Sequence, residues 1–171
     1  MNLDDYITKI PDYPQPGVLF RDITSLLDNG PALHEAIDQM AAKVADLDFD
    51  VVIGSEARGF IFGTPLAYLR NKPFVLVRKK GKLPRETISA DYDLEYGTAT
   101  LEMHRDSIRP GQKVLIVDDL MATGGTVKAM IRLTESLGGQ VAGVNVLMEL
   151  ADLNGRAALE GYRLDSILVY Q

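Results

Sequence analysis

Short runs of apolar and β-branched residues alternate along the chain with longer stretches in which apolar positions return every three or four residues. Val51 to Ile53, Phe74 to Val77, Val114 to Val117, Val141 to Leu147 and Ile167 to Tyr170 have the length and continuity of buried strands. Helical patterns separate several of them. From Pro31 to Leu47 the residues Leu33, Ile37, Met40, Val44 and Leu47 share one helical face, and Pro31, which has no N–H to leave unpaired, suits the first helical position after Asp28 and Asn29. Phe60 to Leu69 and Val127 to Leu137 repeat the pattern, the second ending at Gly138 and Gly139 as helices commonly do. This alternation predicts an α/β fold with a central, mostly parallel sheet of about five strands flanked by helices on both faces.

Two stretches break the alternation. Pro11 to Gly17 carries Pro11, Pro14 and Pro16, so it should run extended over the surface, and the segment up to about residue 24 is expected to form a small cap. From Arg78 to Tyr96 no helical period is present, and a loop of that length within a domain is commonly functional. Neither repeats nor a linker interrupt the chain, and its 171 residues are read as one domain, 1–171.

The formal net charge of −6 argues against a general grip on nucleic acid, so any anion must be bound locally. The basic residues Arg78, Lys79, Lys80, Lys82 and Arg85 are concentrated within eight positions that contain no acid. No apolar run approaches the roughly 18 residues of a membrane span, and Met1 to Ile10 does not read as a secretory signal, so a cytoplasmic protein is expected. Cysteine is absent and the two histidines, His34 and His104, are far apart, which leaves no thiolate or histidine-rich metal site.

The strand Val114 to Val117 runs into Asp118 and Asp119 and then into the small-residue loop Ala122, Thr123, Gly124, Gly125, Thr126 ahead of a helix. In an open α/β sheet ligands bind at that edge. Glycines let backbone amides approach a phosphate, threonines add hydroxyl donors, and the helix N-terminus favours negative charge. The adjacent carboxylates repel each other unless hydroxyls or a cation compensate. Neither the lysine of a Walker loop nor a dinucleotide fingerprint is present.

This segment resembles the phosphoribosyl pyrophosphate signature of the type I phosphoribosyltransferases, and the likeness runs from Pro11 to about Glu149. The resemblance implies that family's fold, with an N-terminal hood over residues 1–24 and a flexible catalytic loop over residues 78–100. It implies that Asp118 and Asp119 hold the ribose hydroxyls and that Ala122 to Thr126 bind the 5′-phosphate. Glu56, Ala57, Arg58, Arg78, Lys79 and Lys82 fall where the family binds pyrophosphate, the turn at Glu56 and Ala57 commonly with a cis peptide. By their residue types alone, Arg58 could instead pair with Glu56 in a plain strand-to-helix connection. Magnesium is implied as cofactor, held mainly by the phosphoribosyl pyrophosphate, with no direct protein ligand assigned.

The base is chosen elsewhere. Leu19, Phe20 and Arg21 resemble the segment with which adenine-specific members hold the base, Leu19 through its backbone and Phe20 against the ring, with Arg58 facing the substrates. Without the resemblance, Val18, Leu19 and Phe20 could equally anchor the cap to the core. Glu95 matches the loop glutamate proposed to handle the purine proton, and Tyr96 the residue that closes on the site. The implied reaction joins adenine to phosphoribosyl pyrophosphate and gives AMP and pyrophosphate, in a homodimer by family precedent. Enzymes for xanthine, hypoxanthine or orotate, and a regulator that binds the same ligand, remain the rival readings, the last disfavoured by the acidic charge.

Overall fold

The structure, a computed structural model that describes residues 1–94 and 97–171, divides into two units, Met1–Gln39 and Met40–Gln171. In the first, a 3-10 turn (Leu3–Tyr6) leads into an antiparallel pair, β1 (Thr8–Pro11) and β2 (Leu19–Asp22), with Pro11 opposite Leu19 and Thr8 opposite Asp22. The proline-rich stretch is the loop of this hairpin, closed through a cis Tyr13–Pro14 bond and Gly17 at φ 87°. Helix α1 (Thr24–Leu27) is a single turn whose first amide donates to Asp22 Oδ1 at 2.9 Å. Helix α2 (Gly30–Lys43) starts one residue before Pro31, because Asn29 Oδ1 accepts the Ala32 amide at 3.0 Å and caps it. Its buried positions are Ala32, Ala36 and Met40, whereas Leu33 and Ile37 are half-buried. The helical period was legible, but the buried stripe is turned towards the smaller residues.

The second unit is built on a seven-stranded sheet. Its strands are β3 (Val51–Ser55), β4 (Phe74–Lys79), β5 (Thr87–Asp93), β6 (Thr98–His104), β7 (Lys113–Met121), β8 (Gln140–Leu150) and β9 (Leu164–Tyr170), in the order β5-β6-β4-β3-β7-β8-β9. The five strands β4, β3, β7, β8 and β9 run parallel and are the five expected. The other two are antiparallel additions that correct the loop reading of residues 78–100. Arg78 and Lys79 end β4, and β5 and β6 fold the greater part of the stretch into a β-hairpin with a period of two: Ile88, Ala90 and Tyr92 turn inward while Ser89, Asp91 and Asp93 are exposed.

Helices α3 (Arg58–Leu69) and α4 (Gly125–Ser136) cover opposite faces of the sheet. Val51, Ile53, Val114, Ile116, Val144 and Val146 pack with Val127, Met130 and Ile131 of α4. The alternate residues face α3, where a Cβ on Gly54 would stand 3.0 Å from the Gly59 carbonyl oxygen. Helix α4 ends as read: the Gly138 amide donates to the Glu135 carbonyl at 3.0 Å and the Gly139 amide to the Thr134 carbonyl at 3.0 Å, with Gly138 at φ 81°. A short helix, α5 (Gly155–Ala158), links β8 to β9. Among the described residues no helix is long and apolar enough to cross a membrane.

Candidate active site

At the carboxyl edge of the parallel strands lies a cleft of about 400 Å³, walled by the ends of β3, β7 and β5 and by the loop from Ala122 to Thr126. Asp118 and Asp119 lie within the last residues of β7, 6 % and 5 % exposed. Asp118 is fixed from two sides: Ser55 Oγ donates to its Oδ2 at 3.1 Å, and the Asp119 amide donates to its Oδ1 at 2.9 Å. Burial, and after it the neighbouring Asp119 carboxylate, push the Asp118 carboxyl well above its ordinary range. Asp119 has no such clamp. Arg58 Nε comes within 3.1 Å of its Oδ2, but the N–H is not directed at that oxygen, which is sealed from solvent and has no hydrogen-bond donor among the described residues. The Arg58 charge offsets the burial of this carboxylate, and the two acids stand together on the cleft wall.

The loop after the acids turns at Gly124, whose φ of 91° disfavours any residue with a Cβ, and Gly125 opens α4. The first-turn amides of α4 have no intrahelical partner and face the anion-favouring end of the helix dipole. The loop's backbone therefore suits an anion, and Thr123 and Thr126 stand with it on the cleft wall.

The turn after β3 carries the second charged constellation. The Glu56–Ala57 peptide is cis, as the resemblance implied. Glu56 pairs with Arg78 rather than Arg58: Arg78 Nε is 3.2 Å from its Oε1, and the Lys79 amide donates to the same oxygen at 2.8 Å. Burial opposes ionisation of Glu56, but the Lys79 amide, the Arg78 hydrogen bond and the nearby Lys82 charge outweigh it and hold its carboxyl below the usual range. Arg58 goes to Asp119 instead, which brings the turn and the acid pair into one site. Close packing makes this possible, since a Cβ on Gly59 would stand 3.2 Å from Asp118 Oδ1.

A model of the phosphoribosyl transferase domain matches residues 23–167. The chain is 57% identical to the adenine phosphoribosyltransferase of Agathobacter rectalis over 166 residues, covering 97% of this chain and 95% of that protein. The chain belongs to the adenine phosphoribosyltransferase family. Its fold agrees: the crystal structure of adenine phosphoribosyltransferase from Thermoanaerobacter pseudethanolicus superposes with a TM-score of 0.95 at 47% identity, covering 99% of this chain and 100% of the other. The Saccharomyces cerevisiae family member, solved with D-2,5-dideoxy-2,5-imino-altritol 1,6-bisphosphate and adenine, superposes with a TM-score of 0.90 at 35% identity, over 97% of this chain and 96% of that one.

Within this family member the described residues divide cleanly. Glu56, Arg58, Lys79, Asp118, Asp119 and the whole loop Ala122–Thr126 line the cleft. Arg78 is turned to Glu56, and Lys82 is exposed in the turn after β4. Arg85 pairs with Asp106 at 3.1 Å on the surface. Leu19, Phe20 and Arg21 form β2 of the first unit, where the Phe20 ring meets Tyr13 edge-on at 5.2 Å. Glu95 and Tyr96 lie outside the described residues. Sequence reasoning missed Ser55, which clamps Asp118, and Tyr92, Asp93 and Leu94, which bring β5 to the cleft wall. Ser55 had a signal, a polar residue closing an apolar strand, and Tyr92 another, the two-residue alternation of its strand.

Proposed function

We propose that this cleft transfers the 5-phosphoribosyl group of phosphoribosyl pyrophosphate to adenine, forming AMP and releasing pyrophosphate. The observation that carries the reading is the buried acid pair beside the phosphate loop. Asp118 and Asp119 both line the cleft, where the two vicinal hydroxyls of a ribose supply donors to their carboxylates while the 5′-phosphate sits on Ala122 to Thr126. A free phosphate or a nucleoside would satisfy only half of this arrangement.

In the reaction the bond from the anomeric carbon to the diphosphate oxygen breaks with its electron pair leaving on the diphosphate. The sugar becomes oxocarbenium-like, and adenine N9 forms the new bond from the opposite face. Lys79 and Arg58 on the cleft wall, with Arg78 and Lys82 next to it, stabilise charge on the leaving group. Glu56 and Ala57 present backbone to the diphosphate, while the Glu56 side chain holds Arg78 in place. A magnesium ion would be held mainly by the phosphoribosyl pyrophosphate, and the carboxylates of Asp118 and Asp119 on the cleft wall suit a cation beside it. When bound, the ion neutralises the leaving diphosphate. Glu95 takes up the N9 proton and Tyr96 closes on the substrates.

The base is read by the hood, residues 1–24. Leu19 presents its backbone to adenine's 6-amino group and N1. Phe20 packs on the ring, with Arg21 beside it. The enzyme acts as a homodimer in the cytoplasm, each chain one catalytic domain, and the mass in solution tests the dimer. The activity is tested by pyrophosphate release with magnesium, phosphoribosyl pyrophosphate and each of adenine, hypoxanthine, guanine, xanthine and orotate. Release with adenine alone is expected. Release with an oxo base in its place would overturn the reading of Leu19 to Arg21.

A further inference from the structure

The catalytic and binding roles proposed for the cleft leave Glu149 and Arg156 unused. Glu149 is next to last in β8, in register with Met121 of β7 and Val169 of β9, and is 3 % exposed. Arg156 reaches its carboxylate with two donors, Nε to Oε2 at 3.2 Å and Nη2 to Oε1 at 2.8 Å, and Ser166 Oγ adds a third at 2.6 Å. A fork on a buried carboxylate is directional and holds its owner in one place. Arg156 is so held although its side chain is 56% exposed.

The residue before Arg156 is Gly155, which opens α5. A Cβ on Gly155 would stand 2.5 Å from the Ala122 carbonyl oxygen and 3.2 Å from the Thr123 carbonyl carbon. A Cβ on Gly124 would in turn meet the Gly155 carbonyl oxygen at 3.3 Å. The backbone of Gly155 therefore lies directly against the underside of the loop from Ala122 to Gly124. Helix α5 is a single turn of four residues, too short to hold its place by its own hydrogen bonds. Leu159 at its far end is buried in the core, and the Glu149–Arg156 pair, with Arg156 Nη1 donating to the Leu164 carbonyl at 3.4 Å, ties down its first turn beside Gly155.

We infer that Glu149 and Arg156 are positioning residues for the 5′-phosphate: their ion pair seats Gly155 under the loop Ala122–Thr126 and so fixes the direction of the loop's amides. This rests on reading that loop as the phosphate seat. Both residues act through Gly155, so the effect of removing them falls on the phosphate end of the substrate and not on the diphosphate end.

The test is calorimetric titration of ribose 5-phosphate and, separately, of pyrophosphate into wild type, Arg156→Met, Arg156→Lys and the double variant Glu149→Gln with Arg156→Met. Arg156→Met is expected to weaken ribose 5-phosphate roughly tenfold or more and leave pyrophosphate within twofold, with Arg156→Lys intermediate. In steady-state kinetics KM for phosphoribosyl pyrophosphate rises while kcat holds, the pattern of lost uniform binding. Equal affinities in wild type and variants, or both ligands weakened alike, would overturn the inference. If Arg156→Met does not fold because Glu149 is left unpaired, the double variant removes both charges and answers the same question. Thr123→Ala separates the two readings. If it leaves ribose 5-phosphate binding untouched, the phosphate seat itself is misread. If it weakens binding while the clamp variants do not, only the clamp fails.

Discussion

Asp118→Asn should make the protein more stable and less active, and the gain in stability should depend on pH. The Asp118 carboxyl is 6 % exposed, and burial followed by the Asp119 charge raises its pKa in the folded state. Above the ordinary carboxylate range the unfolded chain has released this proton while the folded chain resists doing so. The folded state then binds more protons than the unfolded one, so stability falls as pH rises through that window. An amide at this position ends the conflict and keeps the local bonds: its oxygen still accepts the Asp119 amide, and its NH2 donates to Ser55 Oγ where the carboxylate had accepted. Replacing a badly placed buried charge is worth about 2 kcal/mol, or a rise of about 4–8 °C in Tm for a chain of this size at neutral pH. Near pH 4 the folded carboxyl is protonated and the unfolded one about half so, and most of the difference should vanish. The lost charge-assisted bond to a ribose hydroxyl, about 1.5–3 kcal/mol, lowers kcat/KM roughly tenfold to a hundredfold. Thermal melts at pH 7.5 and pH 4, with initial rates at the higher pH, measure all three. A Tm that falls at neutral pH, or a gain of equal size at both pH values, would refute the account of the acid pair.

Gly59→Ala places a methyl 3.2 Å from Asp118 Oδ1 and from the Val117 carbonyl oxygen, and Asp118 is already tied to Ser55. The variant should fold with a lowered Tm, because the Val117 carbonyl belongs to the sheet backbone, and raise KM for phosphoribosyl pyrophosphate about three- to tenfold; unchanged kinetics would show that the carboxylate can move freely. Arg78→Ala should cost about a hundredfold in kcat by removing charge next to the leaving group. Glu56→Gln, which loosens Arg78 without removing it, should cost less, and a larger loss than in Arg78→Ala would assign Glu56 a direct role. Because the Glu56 pKa is lowered on folding, its contribution to stability is present above the unfolded value and disappears as acid titrates the folded carboxyl. Glu56→Gln should therefore flatten the acid limb of a Tm-against-pH curve, which scanning calorimetry between pH 3 and 6 would detect.

The five parallel strands were legible because strands covered on both faces read as unbroken apolar runs, and β3 and β7 contain little else. The hairpin of β5 and β6 escaped because only one of its faces is covered. Its inward positions include Ala90 and Ala99, too small to mark a pattern, and the polar residues between them resemble those of a loop. A similar bias displaced the buried face of α2, where large Leu33 and Ile37 attract attention while Ala32 and Ala36 are the positions fully buried. Periodicity weighs residues by hydrophobicity, and small buried residues weigh little in it.

The same division runs through the site. The acid pair and the loop proposed to seat the phosphate are contiguous in the chain, and the demands of an anion on backbone geometry are legible as glycines and threonines. The links from that loop to the rest of the site are not contiguous. Ser55 reaches Asp118 across two parallel strands, and Arg58 reaches Asp119 from the head of a helix that only the glycine at 59 lets lie so close. Glu56 and Arg58 stand two residues apart, near enough to suggest a pair, yet the turn between them sends one to Arg78 and the other to Asp119. Gly155 is the extreme case. Nothing beside it in the chain asks for glycine, and the requirement comes from the Ala122 carbonyl, delivered by an ion pair whose two members sit on either side of the turn into α5. Residues that touch a ligand are chosen by its chemistry and can be read in sequence, whereas residues that aim them are chosen by the fold and become visible only in it.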